Sequence, residues 1–432
     1  MQYISLIGIL LALALIIFGA MKSINLIIVA PIAAMLVAFT GGMNPLEGYA
    51  LNYMKGFGQF IMAYFPVFLG GALLGKVLEI SGLADAVGQG IVKKFGQKNI
   101  VTAIGLATAV MVIAGVNTFV IIFTMYPMAV AFFRPAGIPK KLIPACVLGP
   151  SVVAQMLPGT TQMQNIIPAE KLGVTAMSAP ITGFFVFFVL MVLCFWYLNR
   201  EAKKCIANGD PFDSKEDPNK PIAAKMDTGL LPNPWITILP VGTVIVLLNV
   251  LHVPAFASLF AGCLVVFLIL VCLRRTKGVV AAVSVACENS KSIITTAAVV
   301  GFGAIVSAVP GFQVFVEFLS KVSFGNPLIY AFIAVCILTA VTGSSSGGMT
   351  IALDTIGPKL LAMGGNPQSI ARVIAITSLG LDSLPHNSAI VLTLNYCGVS
   401  HKEGYKYLFV TTVLLPLLGG CIAVLFGMIG IV

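Results

Sequence analysis

The chain is expected to be an all-α polytopic membrane protein made of two inverted repeats, each of about five spanning helices plus a re-entrant helical hairpin and a broken helix. Three observations predict this. First, of 432 residues 59% are hydrophobic and only 9% charged, and the mean hydropathy is +1.03, far from the balance of a soluble domain. Second, two interrupted apolar runs share one backbone punctuation: Gly115, Gly137 and Pro139 recur as Gly343, Gly365 and Pro367 without a gap, while few other side chains match. Glycine and proline meet dihedral needs that no other residue meets, so they are what an old duplication retains. Third, Lys93, Lys94, Lys98, Arg134, Lys140 and Lys141 flank the first copy, whereas the second has only Lys321 and Lys359. Opposite flanks are what the positive-inside rule requires of inverted copies.

The elements follow from the length of a membrane crossing, about 20 mostly apolar residues. The first repeat, 1–198, holds apolar runs at 3–20, 24–41, 59–80, 140–157 and 177–198. The first run has no basic leader or small-residue cleavage site and reads as an uncleaved span. Residues 99–133 are apolar but broken at Ala114 to Thr118, which predicts a hairpin entering and leaving on one side; residues 140–172 predict a broken helix. A charged, proline-containing linker covers 199–233, with Trp196 and Trp235 at its edges as interfacial residues. The second repeat, 234–432, has runs at 234–250, 254–273, 290–309, 368–384 and 405–431, a hairpin at 327–362 and a broken helix at 368–398. A cytoplasmic linker collects most lysines and arginines on its own side and leaves both termini outside. The net charge of +10 is thus explained by topology rather than by nucleic acid, for which the basic residues are too scattered. Nine cysteines show no ligand spacing, so no metal or cofactor is expected.

Irregular backbone at membrane depth survives only where protein surrounds it or a wet cavity lies beside it. Four such knots occur. The hairpin tips carry Asn117 and Thr118 in the first half, and Ser344, Ser345, Ser346 and Gly347 in the second. The broken helices carry Thr160, Thr161 and Gln162, and then Ser383, Asn387 and Ser388. Half-helices aim free N–H groups and a positive dipole end at one point, which suits a carboxylate, while free carbonyls suit a small cation. A secondary transporter of a small organic anion is the expectation, with these residues binding substrate. An intramembrane carboxylate costs about 2.5–3.5 kcal/mol on insertion scales and so points to function. Asp382 and His386, with Asp354 behind them, are the candidates for proton or ion coupling; alternatively His386 is a neutral hydrogen-bonding residue and Asp382 a helix cap. Asp354 could instead pair with Lys359 or Arg372. Lys76 and Arg372 lie near expected span ends, where they would snorkel. A monoanion is therefore favoured over a tricarboxylate.

The stretch Ser344-Ser345-Ser346-Gly347-Gly348-Met349-Thr350, then Gly380-Leu381-Asp382-Ser383-Leu384-Pro385-His386-Asn387-Ser388 and Gly398 to Glu403, resembles the gluconate:proton symporter (GntP) family of the ion transporter superfamily, in particular its hydroxybutyrate-permease-like branch. A fainter similarity runs from Gly70 to Gly75 and through Gly96. The resemblance implies proton-coupled import of a small hydroxycarboxylate such as 3-hydroxybutyrate or gluconate across a bacterial cytoplasmic (inner) membrane. It also implies a homodimeric scaffold against which a transport domain moves. Ser388 stands where many relatives would carry glycine, which leaves the pocket shape open.

Other classes remain on the table at this point. A sodium-coupled carboxylate symporter would use the hairpin tips for the ion, and a cation/proton antiporter would use Asp354 with Asp382. A channel would need a continuous polar path, and an enzyme a nucleophile, base or metal set; three histidines at 252, 386 and 401 offer no such spacing.

Overall fold

The computed structural model describes all residues except 1, 23, 82, 84–98, 114–117, 161, 213–235, 237, 250, 252, 274–275, 277, 291 and 322–324. The described residues are helical, with no strand among them. The protein is an all-helical, multi-pass membrane protein. In chain order, α1 (Gln2–Met21) and α2 (Leu26–Thr40) pack as a pair, and a π-helical stretch, Gly48–Tyr53, leads into α3 (Met54–Ile80). Then come α4 (Ile100–Ile113), α5 (Thr118–Phe133), α6 (Ile143–Gln155), α7 (Met163–Leu172) and α8 (Pro180–Ala207). The later half contains α9 (Ile238–Asn249), α10 (Ala255–Cys272), α11 (Val279–Ser290), α12 (Ser292–Val306) and α13 (Pro310–Lys321). It closes with α14 (Pro327–Thr342), α15 (Ser345–Ala362), α16 (Pro367–Thr377), α17 (Ser388–Cys397) and α18 (His401–Leu408), the last passing through a π-helical turn, Phe409–Leu414, into α19 (Leu415–Met428).

Length and composition together single out the longest apolar helices. Four helical stretches among the described residues, 2–21, 180–207, 279–306 and 401–428, are long and apolar enough to cross a membrane. The arms α4, α5, α14 and α15 have 14, 16, 16 and 18 residues. At a rise of 1.5 Å per residue they are about 21–27 Å long, short of the roughly 30 Å hydrocarbon core. Each half of a broken helix is shorter still, at 13 and 10 residues for α6 and α7 and 11 and 10 for α16 and α17. Such a half spans about 15–20 Å, shorter than the hydrocarbon core.

Local chemistry sets these ends. Asn326 and Asn366 cap α14 and α16 ahead of a first-turn proline, and Ser400 with Glu403 forms a capping box on α18. Three elements differ from the sequence expectation. Helix α8 continues past residue 198 to Ala207, so the first nine residues assigned to the linker are helical. The charges there do not stop a helix, whereas Asn208 and Gly209 (φ +68°) do. Helices α11 and α13 fill stretches that lie between the expected spans; α13 is too polar for a span and lies against α1, where Gly311 N–H donates to Ser5 Oγ at 2.9 Å.

Helices α1–α3 and α10–α12 pack together as one group. Around α6–α8 and α14–α19 a second group forms, with α7 seated against both α15 and α16. The broken helices meet there.

Candidate functional site

The tip of the second hairpin is a two-residue turn. Gly343 ends α14 in the left-handed region (φ +60°), and Ser344 caps α15 by accepting the Gly347 N–H at 3.2 Å. Against this tip lies the second break, residues 378–387. Its kink begins at Gly380, continues through a single 3-10 turn, Leu381–Ser383, and ends where Asn387 caps α17 by accepting Ala389 N–H at 2.8 Å and Ile390 N–H at 3.1 Å. Asn387 also donates through Nδ2 to the Gly343 carbonyl at 3.1 Å, joining break to tip. Helix α18 supports the break from outside: Tyr405 OH donates to Ser383 O at 3.1 Å, and His401 Nε2 lies 3.0 Å from Pro385 O. A carbonyl only accepts, so His401 carries its proton on Nε2.

Asp382 and His386 both face this tip, from opposite ends of the break. The Asp382 carboxylate accepts the Ser383 hydroxyl at 3.0 Å and is approached by the backbone N–H groups of Ser383 and Ser345. It therefore sits at the N-terminal end of α15, where the helix dipole favours negative charge. Nor is it the cap of α17, a role that belongs to Asn387. The His386 ring is 2% exposed and rests against the Gly343 backbone, with the Ala340 backbone beside it and no well-formed hydrogen bond to either ring nitrogen. A helix running from Asp382 to His386 would have paired them, but the 3-10 turn and Pro385 break that register.

The first break is held by amides. Asn165 Nδ2 donates to Gln155 O at 3.0 Å, Leu157 O at 3.2 Å and Thr160 Oγ at 2.8 Å, closing the loop upon itself. Gln162 Nε2 reaches Val112 O at 2.8 Å and Gln155 Nε2 reaches Thr118 Oγ at 3.3 Å, so the loop is tied to both arms of the first hairpin. Asn117 and Thr161 lie outside the described residues.

Side-chain bridges from both breaks join the halves. Gln164 Nε2 donates to Ser345 Oγ at 3.0 Å, and Ser345 Oγ donates to Ser378 Oγ at 3.2 Å. Arg372, on α16, donates to Asn165 Oδ1 at 2.7 Å and to the carbonyls of Met156, Ala176 and Ser178. The structure thus ties Thr118, Thr160 and Gln162 into the first break through Gln155, Asn165 and Val112, and gathers Ser344, Ser345, Gly347, Asp382, Ser383, His386 and Asn387 at the second; Ser346 and Ser388 adjoin these in the first turns of α15 and α17. It places Asp354 elsewhere. On α15, two and a half turns beyond the tip, Asp354 is about half exposed and forms an ion pair with Lys171 of α7, not with Lys359 or Arg372. Lys359 instead lies 5.1 Å above the Tyr330 ring.

A model of the GntP permease family matches residues 4–429. The chain belongs to that family. This permease is also similar to the uncharacterized transporter YxjC of Bacillus subtilis (strain 168), at 30% identity over 99% of this chain and 100% of that one. A second relative, an uncharacterized transporter of Haemophilus influenzae, is 23% identical over 94% of each chain. Among solved structures the YdaH transporter of Alcanivorax borkumensis aligns over 89% of this chain and 88% of its own, at 18% identity and a TM-score of 0.40, too distant to bear on the site.

Sequence reasoning missed three side chains of this permease that its geometry singles out, Gln164, Asn165 and Ser378, and misplaced a fourth, Arg372. A signal for the first two was present in the amide run Gln162-Met163-Gln164-Asn165, directly after a break in an otherwise apolar chain. Arg372 does not snorkel; it is 2% exposed within protein.

Proposed function

We propose that this permease imports a small hydroxycarboxylate, a 3-hydroxybutyrate-like acid or a sugar acid such as gluconate, by proton symport across a bacterial inner membrane. The observation that carries the reading is the pair Asp382 and His386. Both are buried on one hairpin tip, and neither has an ion-pair partner among the described residues; beside the His386 ring lies only backbone, that of Gly343 and Ala340, with no well-formed hydrogen bond to either nitrogen. Buried ionisable groups are costly in a membrane, and a proton is the ligand both can take and release without rearranging the backbone. Hydroxyls at Ser346 and Ser388 and the N-terminal ends of α15 and α17 suit a carboxylate and an adjacent hydroxyl of the substrate, while the Thr160 and Ser345 hydroxyls, which donate to Leu157 O and Ser378 Oγ, would exchange those bonds for substrate. The parallel order of hairpin, broken helix and long span in each half supports the inverted repeat. On this reading the linker is cytoplasmic, both termini are outside, the protein is a homodimer, and the helices around the breaks move as an elevator against the remainder.

Uptake of labelled 3-hydroxybutyrate into proteoliposomes, under an imposed proton or sodium gradient and with gluconate, citrate and acetate as competitors, tests the reading. Proton-driven accumulation, abolished in Asp382→Asn and His386→Gln, is expected. Sodium-driven accumulation that survives both substitutions would move coupling to the hairpin tips, and retained proton dependence in both variants would remove the coupling assignment.

A further inference from the structure

Arg372 spends its whole hydrogen-bonding capacity on the opposite half of the protein. A guanidinium has five N–H donors, and here Nε donates to Ser178 O at 2.9 Å, Nη1 to Met156 O at 3.1 Å and Asn165 Oδ1 at 2.7 Å, and Nη2 to Ala176 O at 3.1 Å and Ser178 O at 2.7 Å. No carboxylate pairs with it among the described residues. Met156 is the residue at which α6 ends, so its carbonyl is one of those a helix C-terminus leaves unpaired. The carbonyls of Ala176 and Ser178 belong to the turn that leads into α8.

Two features show that the surrounding backbone is shaped around this group. Ala179, next to the doubly bound Ser178 carbonyl, has φ +44°, and it is the sole non-glycine residue with positive φ among those described. An L-residue is strained there, and such a conformation persists where neighbours over-determine it. At Gly183 a Cβ would come within 2.3 Å of the Pro158 ring and 3.0 Å of Arg372 Nε, so only glycine lets α8 approach the break and the guanidinium together.

Resting on the transport reading above, we propose that Arg372 is the positioning residue of the first break. It does not touch substrate, because its donors are taken. It acts through Asn165, whose oxygen it holds while the Asn165 nitrogen donates to Thr160, Leu157 and Gln155. One guanidinium on the second broken helix thereby fixes the loop that presents Thr160 on the first.

The test uses the full-length protein in lipid nanodiscs and in proteoliposomes, with Arg372→Gln, Arg372→Lys and Asn165→Ser. Hydrogen exchange of the backbone amides in 156–178 is expected to rise at least about tenfold in Arg372→Gln and Asn165→Ser and less in Arg372→Lys, with the second hairpin, 327–362, unchanged. In uptake, the half-saturating concentration of the carboxylate should rise by about tenfold in Arg372→Gln and Asn165→Ser while the maximal rate per folded protein stays within about twofold. Exchange that rises equally across the protein, or a lower maximal rate at unchanged half-saturation, would show a merely structural arginine and overturn the proposal. So would an effect in Arg372→Gln that Asn165→Ser does not share. A wild type that accumulates no carboxylate would defeat the transport reading, and the exchange measurement would still decide whether Arg372 positions the break. Should Arg372→Gln fail to fold, Arg372→Lys and Asn165→Ser carry both readouts.

Discussion

Gly343 and Gly137 provide a matched pair for measuring how tightly His386 is seated. Both have left-handed backbone, with φ of +60° and +66°. Replacing either with alanine imposes the same local strain, about 1–2 kcal/mol. They differ in their surroundings. A Cβ at Gly137 meets nothing within 4 Å, whereas at Gly343 it lies 2.9 Å from both Cδ2 and Nε2 of His386, closer than Cβ atoms tolerate. The Gly343 carbonyl is held by Asn387, so the ring rather than the backbone must give way. Overpacking costs about 1–3 kcal/mol in general. Because the ring has no well-formed hydrogen bond, only the Ala340 backbone beside it, the lower end applies, near 1 kcal/mol.

Gly137→Ala should therefore destabilise by about 1–2 kcal/mol and Gly343→Ala by about 2–3 kcal/mol. A double-mutant cycle with His386→Ala isolates the difference, since removing the ring vacates the space for the new methyl. The measurement is equilibrium unfolding in detergent micelles, and the cycle should return a coupling of about 1 kcal/mol, outside the roughly 0.3–0.5 kcal/mol within which independent sites add. Equal costs for the two alanines together with an additive cycle would refute the packing of His386 on the tip. The coupling role argued for this ring would then lose its geometric basis.

The remaining expectations concern charges and bridges around the site. Asp354→Asn should change stability by no more than about 1 kcal/mol, as for other exposed ion pairs, and leave the pH profile of uptake in place, whereas Asp382→Asn should flatten that profile. Gln164→Leu removes the donor to Ser345, worth about 0.5–1.5 kcal/mol, and should raise half-saturation by roughly 2–13-fold on the usual conversion. At the start of the linker, Lys141 bonds Asp210 at 2.7 Å and holds its carboxyl below the usual aspartate range, while Arg134 lies 4.8 Å over the Phe212 ring. A lowered folded value makes the pair's contribution complete above the ordinary aspartate range and lost only as pH falls through the lowered value. Limited proteolysis near 208–213 should then be flat between pH 8 and 5 in the wild type, and faster throughout that window in Asp210→Asn.

The parts of this architecture written in local chemistry were legible in the sequence. Hairpin arms and breaks fall where Gly343, Gly380, Pro158 and the Asn-Pro pairs at 326–327 and 366–367 place them, because those residues act on their own backbone. The hydroxyls of Ser344, Ser345 and Thr160 were visible for the same reason, since polar groups in apolar runs stand out. What was not legible depends on partners far along the chain. Asp354 reads as an intramembrane carboxylate until Lys171 is folded against it. Arg372 reads as a snorkelling end residue until α7 and the turn before α8 enclose it. Asp382 and His386 sit four apart in sequence, yet a 3-10 turn and Pro385 send them to separate sides of one tip, which spacing alone cannot express.

The distribution of directional bonds also bears on what can move. Arg372, the Gln164–Ser345–Ser378 relay, the Lys171–Asp354 pair and the Asn387 bond to Gly343 all join α7, the second hairpin and the second broken helix to one another. Separating any of these elements would leave buried donors or acceptors unpaired, at about 1–3 kcal/mol for each neutral group and more for the guanidinium. The join between α5 and α3 is of a different kind, with Phe60 edge-on to Phe119 at 5.8 Å. Apolar packing is non-directional, so such a surface can slide by a helical turn and repack at little cost, while a hydrogen-bonded one cannot. If the protein moves as proposed, the two broken helices and the second hairpin therefore travel together, because the bonds that join them would otherwise be broken.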